Sequence, residues 1–264
     1  MKRIYSKLIE LSETPLKTSD WICGKYKIIE MIGKGSYGFT YLVKDDLGQI
    51  SVLKQLRRYK MLEASGREAF KREAHTLKAL NHPAFPVFYE QFEDNQKQFI
   101  VMEYKKGKTF EDLIFQENSA FSESAALKEL YEILKLVRYI HGNGYVHRDL
   151  RIPNILKNEE EYYIIDFGLA RKINDQSHKI EENINHLEKR LFREVSFKSD
   201  FYALGHFLLF LLYSSYEPTS KKQQSWEEEL QISYSAKKIL RKMLQLDEPY
   251  YEVSLLMNDV AACI

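Results

Sequence analysis

From residue 26 the apolar positions of the chain recur at the spacing of strands. "YKIIEMI" runs into a glycine turn, and "FTYLVKD" and "ISVLKQL" follow it. Their β-branched and aromatic residues, punctuated by Asp46 and Gly48, predict a strand meander. At 67–80 the period changes. In "REAFKREAHTLKAL" the residues Phe70, Ala74 and Leu77, with Leu80 beside them, share one face of a helix. "HPAFP" ends that helix, and strands around 86–92 and 98–104 flank the polar turn "EDNQK". Beyond about residue 110 the helical period dominates. Ser122 is placed to cap a helix that runs to His141 with Leu127, Leu130, Leu134 and Val137 on its apolar face. Short strands surround 145–165, and helices are expected over 200–214, 235–246 and roughly 252–262. The pattern predicts an α+β chain of two lobes, strand-rich over 26–104 with one main helix and helical over 105–264. Residues 1–25 read as a leader, with an amphipathic piece (Ile4, Leu8, Leu11) and a polar linker containing Pro15.

Composition adds boundaries. With 264 residues and a 44% hydrophobic share, the chain can bury a sizeable core. Its 39 basic and 38 acidic residues nearly cancel, which gives no reason to expect nucleic acid or a membrane surface as partner. Cys23 and Cys263 fit no metal or CxxC spacing, so a reducing cytoplasm is expected. The longest apolar run, "FLLFLLY" at 207–213, is far short of the ~20 residues that cross a bilayer and suits a buried helix. No apolar run follows Met1-Lys2-Arg3, so a signal peptide is not expected.

Candidate chemistry lies in four places. "GKGSYG", with Gly33, Gly35 and Gly38, precedes a strand rather than a helix. It therefore reads as a hairpin tip whose backbone can approach phosphates, or as a plain glycine hairpin. "VLK" ends in Lys54, a cation for phosphates, and the next helix offers Glu73 to fix its position. In "HRDLRIPN", Asp149 can accept a hydroxyl proton, and the side-chain oxygen of Asn154 suits a hard cation such as Mg²⁺. "IIDFG" places Asp166 at the end of an apolar strand, ready to chelate the same metal.

With these motifs in order over 26–264, followed by "SDFYALG", the chain resembles the eukaryotic-like (Hanks-type) serine/threonine protein kinase family in its compact bacterial form. The resemblance implies a bilobal kinase fold that uses ATP and Mg²⁺ to phosphorylate protein substrates. It makes Lys54 and Glu73 the phosphate-binding pair, Asp149 the catalytic acceptor and Asn154 with Asp166 the metal ligands. Ile32, Thr40, Val52 and Leu156 would enclose adenine, with Met102 as gatekeeper and Glu103 to Lys105 as hinge. Leu77, Phe88, His147 and Phe167 would stack as an apolar spine, and Asp200 would brace the catalytic loop.

The chain also departs from the family pattern. Thr40 stands where Val is usual, and Arg151 replaces the Lys that assists phosphate transfer. Ala-Pro-Glu is missing. Glu188 lacks the Ala-Pro before it, and Glu252 lies where the partner Arg is expected. Instead Ile180, Ile184, Leu187, Leu191 and Val195 predict an amphipathic helix over about 178–193, packed on the C-lobe or under the helix of Glu73. Arg148 could receive a phosphorylated loop or serve structure alone, and Ser177 is the only hydroxyl residue between Gly168 and Val195. A small-molecule phosphotransferase and a non-catalytic ATP-binding scaffold are the alternative functions on the same fold.

Overall fold

A strand-and-helix part ends at Lys106 and a mainly helical part begins at Gly107. The computed structural model describes residues 13–173, 187–217 and 224–264.

The first part is built on β1 (Trp21–Ile22), β2 (Tyr26–Lys34), β3 (Gly38–Lys44), β4 (Ile50–Leu56), β5 (Phe88–Asp94) and β6 (Lys97–Glu103). They form one antiparallel sheet in the order β1-β2-β3-β4-β6-β5. Side chains alternate across a strand, so Phe39, Tyr41 and Val43 all enter the core, each at 0% exposure. Ile28, Leu53, Phe99 and Val101 join them. Each such burial is worth about 1.5–3 kcal/mol. The "EDNQK" turn closes β5 on β6 with Asn95 and Gln96 both at positive φ, and the register pairs Asp94 with Lys97. Two helices complete this part, α1 (Arg58–Met61) and α2 (Ala64–Ala79). The predicted face of α2 is buried as expected, through Phe70, Ala74 and Leu77.

Residues 13–25 are not a free polar leader. Leu16 packs on the sheet core, and β1 pairs with the start of β2 through Trp21↔Lys27 and Ile22↔Tyr26. A two-residue strand is too short to show a period, which is why the sequence reads as linker there. Residues 1–12, and with them the amphipathic piece, lie outside the described residues.

The second part opens with β7 (Lys108–Thr109) and α3 (Phe110–Phe115). The long helix α4 (Glu123–Gly142) starts where Ser122 Oγ accepts the Ala125 amide at 3.3 Å. Its Leu127, Leu130, Leu134 and Val137 are fully or almost fully buried. Next come β8 (Tyr145–Val146), β9 (Ile155–Asn158), β10 (Glu161–Ile164) and β11 (Arg171–Lys172), then α5 (Leu187–Arg193) and α6 (Phe197–Tyr213). β10, β9 and β7 make a small sheet, and β11 pairs with β8. Helix α6 carries "FLLFLLY" and is buried on nearly all sides. Phe207 meets Phe110 edge-on at 4.9 Å. Short α7 (Trp226–Glu229), α8 (Tyr234–Met243) and α9 (Val253–Ala261) follow, with α9 packed on α4. No helix among the described residues is long and apolar enough to cross a membrane.

The predicted helix over 178–193 is described only at its C-terminal end, as α5; residues 178–186 and Ser177 lie outside the described residues. Helix α5 packs on α6, where Phe192 meets Tyr202 edge-on at 4.8 Å and His206 at 5.0 Å.

Gly66 sits in the first turn of α2, where an added Cβ would lie 2.3 Å from the Lys60 carbonyl. Alanine there would gain about 1 kcal/mol of helix propensity, but the displaced backbone costs about 1–3 kcal/mol. Gly66→Ala should therefore lower Tm by several degrees in a thermal melt, the opposite of the usual Gly→Ala effect in a helix.

Candidate active site

The loop 147–154 is shaped from below by one carboxylate. Asp200, in the first turn of α6, has 0% exposure. Its Oδ2 accepts the His147 amide and His141 Nε2, each at 2.9 Å, and its Oδ1 accepts the Arg148 amide at 2.7 Å. Burial alone would raise its pKa. The hydrogen bond and charge of His141, with the neighbouring His147, outweigh burial and leave the pKa below the ordinary carboxylate value. These bonds secure Arg148 at φ 66, a left-handed conformation that costs a non-glycine residue about 1–2 kcal/mol. His147 is fully buried and meets Phe167 edge-on at 4.7 Å; burial depresses its pKa.

Strand register brings the two proposed metal ligands together. Ile155 at the start of β9 pairs with Ile164 at the end of β10. One residue outward, the Ile165 amide donates to the Asn154 carbonyl at 3.0 Å, and Asp166 follows directly. Asn154 donates its Nδ2 to both the carboxylate and the carbonyl of Asp149, at 2.9 Å each. That leaves Oδ1 as the amide's acceptor atom. Asp166 is itself left-handed at φ 61, and its Oδ1 accepts the Gly168 amide at 3.2 Å. An amide oxygen and a carboxylate are hard donors that fit Mg²⁺, an ion that keeps waters and phosphate oxygens for its other positions.

Asp149 is 6% exposed and carries more than one cation. Arg151 straddles it, with Nε 2.8 Å from Oδ1 and a terminal nitrogen 3.1 Å from Oδ2. Arg193 of α5 lies 3.6 Å from Oδ1. Helix α5 and the loop also exchange backbone contacts. Arg148 Nε donates to the Arg193 carbonyl at 2.7 Å, and Arg193 donates to the Arg148 carbonyl at 3.0 Å. A third bond, at 3.2 Å, joins Arg148 to the Leu169 carbonyl. Arg241 pairs with Asp247 and Glu227, and Glu252 is exposed beside Ser254. The side chain of Glu188 lies outside the described residues.

In the first part, register sets the other half of the predicted constellation. Thr40 pairs with Lys54, and Val52 with Met102, so these four share the sheet face opposite Phe39, Tyr41 and Val43. Lys54 Nζ lies 2.7 Å from Glu73 Oε1, and Glu73 is only 3% exposed. Gly33 also pairs with Thr40, and neighbouring Ile32 is 46% exposed. Of the three loop glycines, Gly38 is sterically required, because a Cβ would lie 2.6 Å from the Gln55 carbonyl. Gly33 and Gly35 have room for a side chain, with nearest atoms at 3.4 and 3.8 Å, so the fold itself does not demand glycine there. The Glu103 side chain holds local structure, since its carboxylate accepts the Val87 amide and pairs with Lys105. Leu77 and Phe88 line one pocket. Leu156 is buried in the second part, in register with Tyr163 and Thr109.

Sequence reasoning missed His141 and Arg193. His141 looks like the last residue of an amphipathic helix. Arg193 carries no motif, and only its place in the last turn of a predicted helix hints at a role.

Three comparisons bear on this geometry. The protein kinase domain family matches residues 26–250. A probable serine/threonine-protein kinase, YbdM of Bacillus subtilis, is 34% identical over 96% of this chain and 95% of its own length. Serine/threonine-protein kinase B of Synechocystis is 29% identical over 84% of this chain, which spans 43% of that protein. The kinase domain of Mycobacterium tuberculosis PknI superposes with a TM-score of 0.70 at 18% identity, covering 95% of this chain and all of that domain.

Asp200→Asn should cost about 2–4 kcal/mol, since one oxygen becomes a donor facing other donors. A carboxyl with a depressed folded pKa stabilises fully above its unfolded pKa of about 3.9 and loses that contribution as pH falls through the lower folded value. Wild type should therefore lose stability in acid by a component that the variant lacks, measurable by denaturant titration from pH 3 to 7.

Proposed function

The chain belongs to the protein kinase domain family, and from that premise we propose that it transfers the γ-phosphate of ATP to Ser or Thr hydroxyls of protein substrates. The observation that carries this reading is the Asn154–Asp149 hydrogen bond, with the Ile165 amide held on the Asn154 carbonyl just before Asp166. It sets a proton acceptor next to two hard-oxygen ligands, as phosphoryl transfer requires. The names of the Bacillus and Synechocystis relatives support the acceptor class.

Each residue then has a defined role. Lys54, steadied by Glu73, would meet the nucleotide phosphates, with the backbone at Gly33 and Gly35 open to their approach. The sheet face of Thr40, Val52 and Met102, with Ile32, would take the adenine, and backbone groups from Glu103 to Lys105 would read its edge. Asn154 and Asp166 would hold Mg²⁺, which when bound neutralises phosphate charge. Asp149 would orient the acceptor hydroxyl and take its proton. Arg151 would release Asp149 and turn its fork to the transferred phosphate, a geometry that Arg offers and Lys does not. The two cysteines, both free, suit a cytoplasmic enzyme.

Arg148 would work without a phosphorylated loop. Its guanidinium already takes the last carbonyl of α5, where the helix dipole places partial negative charge. The α5 end of the activation segment would then be docked by backbone carbonyls in place of a phosphate.

Asp149→Ala should lower transfer to a generic basic protein by roughly 10²–10⁴-fold while leaving ATP-dependent thermal stabilisation intact. Undiminished transfer would remove Asp149 from the mechanism, and turnover on metabolite extracts alone would make the enzyme a small-molecule phosphotransferase. Phosphatase-treated protein should keep its activity within about twofold; a tenfold loss, or about 1.4 kcal/mol, would show that docking needs a phosphate.

A further inference from the structure

The segment before β1 reaches the glycine loop through a buried ion pair. Glu13 and Arg57 have side-chain exposures of 8% and 5%. Glu13 accepts Arg57 Nε through Oε2 and the Arg58 amide through Oε1, both at 2.8 Å. Arg57 passes the contact on. Its guanidinium donates to the Gly35 carbonyl at 3.3 Å, and its amide donates to the Tyr37 carbonyl at 2.9 Å. The Tyr59 hydroxyl donates to the carbonyl between them, Ser36. Three consecutive carbonyls of the loop are thus taken by residues 57 and 59. The guanidinium lies over the rings of Phe39 and Tyr59, at 4.6 and 5.4 Å, so aromatic faces restrict its movement. Lys60 sits over the Tyr37 ring, at 5.1 Å.

We propose that Glu13 is a positioning residue for the nucleotide, acting through Arg57 to fix the backbone of Gly35, Ser36 and Tyr37. The proposal rests on the reading of 33–38 as the phosphate-binding loop. A glycine-rich hairpin loses more conformational freedom than any other sequence when it is fixed, and a loop that is already fixed spares the ligand that cost. Stability alone is a poor reason for this pair, because a buried ion pair is often no better than apolar residues of the same volume. What it offers is direction: a planar fork aimed at one carbonyl and anchored by a carboxylate that also fixes the next amide. The anchoring segment is itself tied down, with the Leu16 amide donating to the Tyr41 hydroxyl at 3.0 Å and β1 added to the sheet edge.

The test compares the full chain with Glu13→Gln, and with Glu90→Gln as a control that breaks an ion pair to Lys25 in the same sheet. Hydrogen exchange of the peptide covering 33–39, measured without nucleotide, should quicken roughly tenfold in Glu13→Gln, the equivalent of one charged hydrogen bond lost. The KM for ATP should rise several-fold with kcat at saturating ATP unchanged, and Glu90→Gln should move neither. Unchanged loop exchange in a folded Glu13→Gln protein overturns the proposal. So does faster exchange with an unchanged KM, because the contact would then serve structure alone. Should Glu13→Gln fold poorly, Glu13→Asp keeps the charge, draws it back by one methylene, and is expected to give the same split at smaller amplitude. Failure of the wild-type chain to bind ATP would sink the kinase reading instead, and the exchange arm would still decide whether the contact governs the loop.

Discussion

Everything the second part of the chain does chemically hangs on a carboxylate that water does not reach. Burying Asp200 without partners would cost several kcal/mol, and the fold meets that cost with two backbone amides and an imidazole. The exchange shapes the chain. With the His147 and Arg148 amides fixed, the backbone can take a left-handed turn at Arg148 and present Asp149 beyond it. The charge sits at the N-terminal end of α6, where the helix dipole favours an anion. A buried helix, an unusual backbone angle and the placement of the candidate base are thus one electrostatic solution.

A second constraint is geometric. Asn154 and Asp166 are twelve positions apart in sequence, yet the β9–β10 hairpin returns the chain so that Asn154 precedes Ile155 and Asp166 lies two residues beyond its partner, Ile164. A one-residue slip would turn every side chain of β10 to the opposite face. The hairpin is therefore a ruler, with apolar Ile155 and Ile164 fully buried to fix its zero.

Much of this was legible in the sequence. The strands over 26–56, the helix of Glu73 and the Ser122-capped helix each show several turns of period, and the chemical residues stand in motifs whose order is informative. The illegible features share a cause. Strand β1 has two residues and no period. The Glu13–Arg57 pair joins residues 44 apart, so nothing local announces it. Glu103 reads as a hinge position, whereas its side chain works on Val87 across the adjoining strand. The predicted stripe counted aliphatic residues, while the ring contacts with α6 come from Phe192, which lies outside that stripe. Periodicity reports which face is apolar, and leaves out which single side chain reaches furthest.

Tyr202 and His206, the seats of Phe192, are one turn apart on the helix whose first turn carries Asp200. Helix α5 is thus moored to the same rod as the buried carboxylate that fixes the loop 147–154. A change at Phe192 would shift Arg193, and with it the carbonyl that Arg148 grips. One helix therefore carries two tethers, and a strain applied at either is passed to the other.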